Sequence, residues 1–294
     1  MAIIYKKNLT EKIMDILIYS ILFILTLITL YPMLYTLSMS ISSDIAVVQN
    51  KVFLLPKGFS LNGYELILRN SELWRSYANT ILYTVTGTTL NVFLTIMAAY
   101  PLSRKNFFLR NKLMFFIVIT MFFQGGLIPR FILIKNIGLY NNPLVMILPT
   151  AIITFNLIIT RTFMSSIPGS LHEAAKIDGA NDIRTLISII IPLCAPIIAV
   201  LIIFYAVGHW NRYFDALLFL PNKDFQPLQI YLRKILVIGQ DDALMDTELG
   251  FEQTALAIKI KYCVIIVSTL PILCVYPFMQ KHFVKGVMIG AVKG

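Results

Sequence analysis

The stretch from Pro168 to Pro192 reads PGSLHEAAKIDGANDIRTLISIIIP, and its chemistry is that of docking rather than of bond-making. Ser170 followed three residues later by Glu173 has the spacing of a capping box, which predicts a helix start. Leu171, Ala174, Ala175 and Asp178 recur at helical spacing and are expected on one face. Gly179 can take the left-handed conformation that ends such a helix. Asn181 or Asp182 can then cap a second helix that runs on into apolar residues. Paired alanines leave little bulk, so the short helix suits a groove on another protein; a connecting loop with an incidental helix is the plainer alternative. The groups that catalysis would need are missing. His172, His209 and His282 form no H-E-x-x-H pattern. Cys194, Cys263 and Cys274 lie in or beside apolar segments without ligand spacing and read as buried thiols. No paired carboxylate or nucleophile–base pair falls within the apolar stretches. No G-x-x-x-x-G-K-[ST] sequence is present, so ATP is not bound by that route.

The elements that position this interval are set by hydropathy. The chain has 294 residues, 57% hydrophobic and only 14% charged. An ordinary soluble domain carries about 25% charged residues. The apolar residues come in blocks, and a block of about 20 crosses a bilayer as a helix. Continuous runs rather than alternating ten-residue segments exclude a membrane β-barrel. An all-α membrane protein with six transmembrane helices follows, the spans being expected at about 13–40, 79–102, 113–128, 144–164, 186–220 and 262–279. Gly125-Gly126 and Pro129 interrupt the third, and Pro192 and Pro196 open the fifth. Residues 42–77 and 221–261 are polar intervals too mixed to span. The first apolar block is too long for a signal h-region and no cleavage site follows it. The formal charge of +10 is read as basic residues flanking spans rather than as a nucleic-acid surface. Six spans place both termini on one side, and the short basic loop Arg104, Lys105, Arg110, Lys112 favours the cytoplasm for that side.

The residues Glu173-Ala174-Ala175, then Gly179, then Ile189-Ile190-Ile191-Pro192 resemble the EAA loop of ABC importer permeases, whose pattern is E-A-A-x-x-x-G, nine residues, I-x-L-P. Ile191 departs mildly from the usual Leu. The ending Phe283-Val284-Lys285-Gly286-Val287-Met288-Ile289-Gly290-Ala291-Val292-Lys293-Gly294 is similar to the C-terminus of maltose-type second permease subunits. Tyr77-Ala78-Asn79-Thr80, Ala98-Ala99-Tyr100-Pro101-Leu102-Ser103-Arg104 and Gly125-Gly126-Leu127-Ile128-Pro129 look like the carbohydrate branch, nearest to its complex-oligosaccharide and lipoprotein-type members. The resemblance covers essentially the whole chain. It implies a type I ABC importer transmembrane fold with both termini cytoplasmic. Residues 1–71 are then an N-terminal tail, first span and external segment. Residues 72–279 are the transmembrane core, with the cytoplasmic coupling loop at 165–192, and 280–294 are a cytoplasmic tail.

The same resemblance implies roles. Glu173, Ala174, Ala175, Asp178, Gly179 and Pro192 belong to a coupling helix that docks in the ATPase subunit. Lys285, Gly286, Gly290, Lys293 and Gly294 belong to a tail that reaches the interface between two ATPase subunits. The implied partners are a homologous permease forming a heterodimer, two cytoplasmic ATPase subunits, an extracytoplasmic sugar-binding protein and membrane lipid. No nucleic acid is expected. No cofactor is expected in this chain, ATP and Mg belonging to the ATPase subunits, and no enzymatic activity of its own. The expected location is the bacterial cell membrane, crossed several times, and the expected cargo is an oligosaccharide. Sugar sites combine aromatic faces with amide or charged groups, and polar groups within spans are functional candidates. That logic selects Phe122, Phe123 and Gln124, Asn156, and Trp210, Asn211 and Tyr213 with the adjoining His209 and Arg212. An interfacial belt or helix-bridging role is the alternative for them. The acidic outer interval 221–261 is expected to face the binding protein. Alternatives for the whole chain are the same importer with an amino acid, polyamine or phosphate cargo, or a stand-alone secondary transporter.

Overall fold

The computed structural model describes residues 8–123, 125–238 and 251–291. Among the described residues the regular structure is helical, with one isolated β-bridge between Ser42 and Phe59. Among the described residues three helices are each long and apolar enough to cross a bilayer: α1 (Leu9–Ile41), α4 (Ser71–Ser103) and the apolar part, Ala255–Cys274, of the last described helix, α14 (Phe251–Ala291). Three further pairs meet the same test only together: α5 (Arg110–Phe122) with α6 (Leu127–Asn136), Pro143–Thr150 with α7 (Thr154–Ser165), and Asp182–Leu193 with α11 (Ala195–Trp210). The second pair is bent by 46° and the third by 80°.

Local chemistry explains the breaks. Gly126, at φ +82°, separates α5 from α6, a conformation open to a residue without Cβ. Before α7 the chain runs as two 3₁₀ turns, Pro143–Met146 and Leu148–Thr150, each with a proline in its first turn, where the missing N–H is harmless. In the third pair α9 (Asp182–Thr185) passes into a π turn at Leu186–Ile190 and then α10 (Ile191–Leu193). Pro192 can neither donate to the ladder nor tolerate a close carbonyl one turn back, and a wider turn relieves both. Pro196 sits in the first turn of α11, beyond the break.

The chain divides into two compact units. The first comprises Met1–Asn70 and Lys234–Ser268. In it, the stretch after α1 is not a bare polar loop but carries α2 (Asp44–Val48) and α3 (Asn62–Arg69). Met39, Ala46, Val47 and Val52 form its small core, with Tyr35, Ile258 and Tyr262 packed around it. The Lys259 side chain is fully buried there, its Nζ 3.1 Å from Asp44 Oδ1 and 2.8 Å from Ser60 Oγ. Tyr64 donates to Ser40 Oγ (2.7 Å), and the Cys263 thiol lies 3.4 Å from the Ser40 carbonyl. A Cβ on Gly63 would stand 2.8 Å from Cys263 Sγ, so glycine permits this close approach.

The second unit comprises Ser71–Arg233 and Thr269–Gly294 and is organised around α4. Ser76, Thr80, Gly87, Thr88, Asn91, Thr95 and Ala99 are buried at helical spacing on α4. Small and hydroxylated residues let helices approach closely in a membrane, where apolar burial alone gives no preference for protein over lipid. A Cβ on Gly87 would meet the His209 ring at 2.5 Å. One core cluster joins the later part of α4 (Ile96, Ala99, Tyr100, Leu102) to α7 (Leu157, Met164) and to Leu186, Ile190, Cys194 and Ile197. A second joins Tyr83, Ile134, Val145 and Met146 to Ala216, Phe219 and Leu220 of α12 (Phe214–Phe219) and its end, and to Ile230 of α13 (Leu228–Arg233). The segment between α12 and α13 is tied to α4. Asn79 donates to the carbonyls of Asp224 and Gln226, Tyr83 donates to that of Phe225, and the Leu228 N–H donates to Thr80 Oγ1. Arg75 pairs with Asp224.

Candidate functional site

The Pro168–Pro192 interval folds as a short helix, a tight reversal and a second helix. The first, α8 (Gly169–Ile177), begins differently from the expected capping box. Pro168 occupies the cap, its extended ψ of 132° turning the chain in, and the Leu171 N–H bonds to its carbonyl. Ser170 therefore lies inside the first turn, and no side chain caps this end. The other end follows expectation. Gly179 is at φ +76°, its N–H reaches the Lys176 carbonyl (3.0 Å) and the Ala180 N–H reaches that of Ala175 (2.9 Å). These two bonds are a Schellman motif, which only a residue at ease with positive φ completes well. Asn181 then caps α9, its Oδ1 accepting from the Arg184 N–H at 2.8 Å.

Burial splits the expected face of α8. Ala175 is 4% exposed and held inward, with half-buried His172 one turn before it. Leu171, Glu173, Ala174, Ile177 and Asp178 are exposed. Ile177 reaches 86% exposure, an apolar side chain that helix spacing alone did not single out. Leu171 at 38%, Ile183 at 67% and Ile187 at 59% add further uncovered apolar surface on this interval. Beneath it, Thr185, Leu186 and Ile190 are buried in the core with the end of α4 and with α7. A glycine-terminated turn thus joins α8 to residues packed among the spans. Burial, reinforced by the Arg104 guanidinium, pushes the His172 imidazole below its ordinary pKa, while Asp182 partly opposes the shift.

The candidates along the spans fall into separate places. Phe122 and Phe123 end α5 fully on the surface, at 78% and 77% exposure, and Gln124 lies outside the described residues. Asn156 is buried in α7. Trp210 is buried at the end of α11, 6.3 Å ring to ring from Tyr77. Asn211 is exposed and accepts from Gln229, and Tyr213 is exposed against Phe214. Lys285, Gly286 and Gly290 lie on α14, which continues as helix past residue 280, and Lys293 and Gly294 lie outside the described residues.

His209 and Arg212, selected above for a sugar role, instead join a buried polar network whose other members, Asn91, Arg130 and Asp215, the sequence did not single out. His209 Nε2 lies 2.6 Å from Asn91 Oδ1. The Asn91 amide donates to the carbonyls of Thr150 and Ala151, which leaves its oxygen as the acceptor and assigns the imidazole proton to Nε2. Arg212 donates to the Met146 carbonyl (2.8 Å) and to Thr150 Oγ1 (2.6 Å). Buried Asp215 pairs with Arg130 at 2.8 Å and stands 3.9 Å from Arg212 Nε. These residues brace α4, α6, α11 and α12 around the broken span before α7. Among the described residues no cluster of His, Cys, Asp or Glu could hold a metal ion.

The family of binding-protein-dependent transport system inner membrane components matches residues 91–289, which contain α8, the bend before α11 and the buried network. The chain belongs to that family. Over 284 residues it is 41% identical to the polygalacturonan/rhamnogalacturonan transport system permease protein YtcP of Bacillus subtilis, covering 97% of this chain and 99% of that one. It is 40% identical to protein LplC of the same organism over 269 residues, covering 91% and 90%. A subunit from the crystal structure of a bacterial ABC transporter that imports the acidic polysaccharide alginate shares its fold at a TM-score of 0.85, with 36% identity, covering 95% of this chain and 99% of that one. This family member is accordingly a transport permease, and the expected class, an all-α membrane protein of the importer-permease fold, holds among the described residues.

Proposed function

We propose that this permease forms half of the translocation pathway of an ATP-driven importer for an oligosaccharide handed over by an extracytoplasmic binding protein. Counting each bent pair as one gives up to six spans, which puts both termini and α8 on one side, and the basic residues Arg104, Lys105, Arg110 and Lys112 support the cytoplasm as that side. A homologous permease completes the pathway, and two ATPase subunits, carrying the ATP and Mg, receive α8 and the C-terminal tail. Oligosaccharide cargo is supported by the 41% identical relative named for polygalacturonan and rhamnogalacturonan and by the alginate importer of like fold. Because alginate is an acidic polysaccharide, acidic oligosaccharides head the candidate cargoes.

The observation that carries the reading is α8 itself. It leaves Ile177 and Leu171 uncovered while Ala175 on its other side is buried, and Leu186, at the start of the π turn after α9, packs in the core with α4 and α7. An apolar side chain on a short, rigid, solvent-facing helix is what a docking surface requires. In the working cycle, closure of the ATPase dimer would move α8, and the π turn and 80° bend before α11 would deliver that movement into the bundle. Trp210, Asn211 and Tyr213 are the residues proposed to meet sugar, because they cluster at one helix end beside the buried network; Asn156 is proposed as a helix-bridging group.

The test is uptake. Proteoliposomes holding this chain, the neighbouring permease and the ATPase, with ATP inside and the binding protein outside, are offered acidic and neutral oligosaccharides, monosaccharides, amino acids and phosphate. ATP-dependent accumulation of an oligosaccharide is expected. Accumulation of only an amino acid or phosphate would keep the importer and replace its cargo, whereas uptake by this chain alone would overturn the proposal.

A further inference from the structure

Two cavities of about 410 Å³ each meet where α4 ends. The first has the more polar lining of the two, with Arg104, Lys105, Ser166, His172, Glu173 and Lys176 on its border beside apolar Met164 and Ile167. The second is largely apolar, bordered by Met97, Pro101, Phe107, Ile183 and Leu186, with Asp182 at its edge. Arg104, Asn106 and Lys176 belong to both and form the wall between them. Three buried polar atoms in this region have no hydrogen-bond partner: the Tyr100 hydroxyl, Arg104 Nη1 and His172 Nδ1. Tyr100 is 8% exposed and borders the second cavity, its ring 6.1 Å from that of His172 and 5.7 Å from the Arg104 guanidinium. Native proteins seldom leave buried donors unmet, and a hydroxyl and a guanidinium both call for an acceptor oxygen.

Charge and shape narrow the ligand. Arg104, Lys105 and Lys176 outnumber Glu173 and Asp182 around the two cavities. The apolar half starts at Met97, still within the apolar run of α4, and the polar half lies just past the helix end. A free phosphate or a protein carboxylate would satisfy the cations and leave the apolar half empty. We propose that this double cavity binds one anionic phospholipid, with the phosphate at Arg104 and Lys176 and an acyl chain along Met97, Phe107 and Ile183. Basic pockets at the cytoplasmic ends of spans are a recurring solution for such head groups. His172 and Ala175 sit on the same side of α8, so the lipid would lie between α4 and the coupling helix and limit how far α8 can move. The cytoplasmic leaflet as the source rests on the proposed function; the site itself does not.

The complex of this chain with its permease and ATPase partners is purified from nanodiscs of phosphatidylcholine with or without phosphatidylglycerol, and retained lipid is read by native mass spectrometry. The wild type is expected to keep phosphatidylglycerol. The double variant R104Q/K176Q is expected to bind it roughly 30-fold more weakly, since each cation near a membrane surface contributes about 5-fold and the two multiply. R110Q/K112Q removes two nearby basic residues, in the first turn of α5, that border neither cavity, and should keep the lipid. Ile183→Glu changes an exposed residue of the apolar half, and should lose the lipid with all cations in place. Equal retention by all variants, or equal retention of phosphatidylcholine, would overturn the site. Displacement of the lipid by soluble glycerol phosphate as readily as by a short-chain phosphatidylglycerol would overturn the acyl part and leave a free-phosphate site. Retention is read without transport, so failure of the importer reading leaves this result standing, and failure here leaves ATP-driven uptake unaffected.

Discussion

At Gly179 the chemistry of a single position decides whether α8 is held. No heavy atom lies within 4 Å of where a Cβ would stand, so bulk is not the obstacle and the positive φ is. Gly179→Val therefore meets backbone strain of about 1–2 kcal/mol without a clash. It is expected to leave the permease folded and assembled with its ATPase while reducing ATP-driven uptake, and full uptake in that variant would remove the coupling assignment. The buried Lys259–Asp44 pair behaves differently. Asp44→Ala strands a charge with 0% exposure, and breaking one side of a buried pair costs about 3–5 kcal/mol. Thermal unfolding in detergent should register that loss, and Lys259→Met combined with Asp44→Ala should recover much of it; an additive double variant would show that the pair is not coupled. His172 supplies a pH dependence. Its folded pKa lies below the unfolded value of about 6.5, so the native state binds fewer protons. Stability is therefore complete above that value and drains away as pH falls toward the lowered one. His172→Gln should flatten the unfolding midpoint across that acidic range, and an unchanged profile would show that His172 is not responsible.

Among the elements, α8 has the most to lose from a single surface change. Its inward residue, Ala175, is packed and its outward one, Ile177, is bare. Burying an isoleucine against a partner contributes about 1.5–3 kcal/mol, so Ile177→Glu should weaken ATPase binding roughly 10-fold or more with helicity by circular dichroism unchanged. Undiminished co-purification with the ATPase would place the contact elsewhere. Element ends also show how far sequence reasoning reaches. Gly179 and Asn181 were legible because φ preference and capping are local properties. The capping box at Ser170 and Glu173 was not, because Pro168 also suits a helix entry and took the cap, moving Ser170 into the first turn. The helices α2 and α3 were missed because five and eight residues carry too little periodicity; they are held by packing with residues more than 190 positions away.

Taken whole, the molecule is a set of spans whose class is written in long apolar blocks and whose bends are not. Prolines and glycines marked where the third and fifth spans could break, but the 80° bend falls at Cys194, past Pro192, after a π turn and over the packing of Ile190 and Cys194 in the core. The buried network was out of reach for a further reason. Asn91 and His209 are 118 positions apart, and only folding shows that an amide and an imidazole satisfy each other. That network, together with Gly87 against His209, gives α4 and α11 a fixed crossing. Any side chain at Gly87 must displace the His209 ring, so Gly87→Val is expected to cost about 1–3 kcal/mol and to lower the unfolding temperature of the assembled permease, whereas an unchanged temperature would mean the helices can separate freely.

The central claim is that movement at α8 links ATP hydrolysis in a partner to solute movement through these spans. It is tested most directly by the ATP hydrolysis rate of the reconstituted importer, measured with the binding protein empty, loaded with oligosaccharide, or absent. Stimulation by the loaded binding protein, lost in Gly179→Val although the ATPase remains bound, is the predicted result. Hydrolysis that ignores the binding protein, or stimulation that survives in Gly179→Val at the wild-type level, would contradict it.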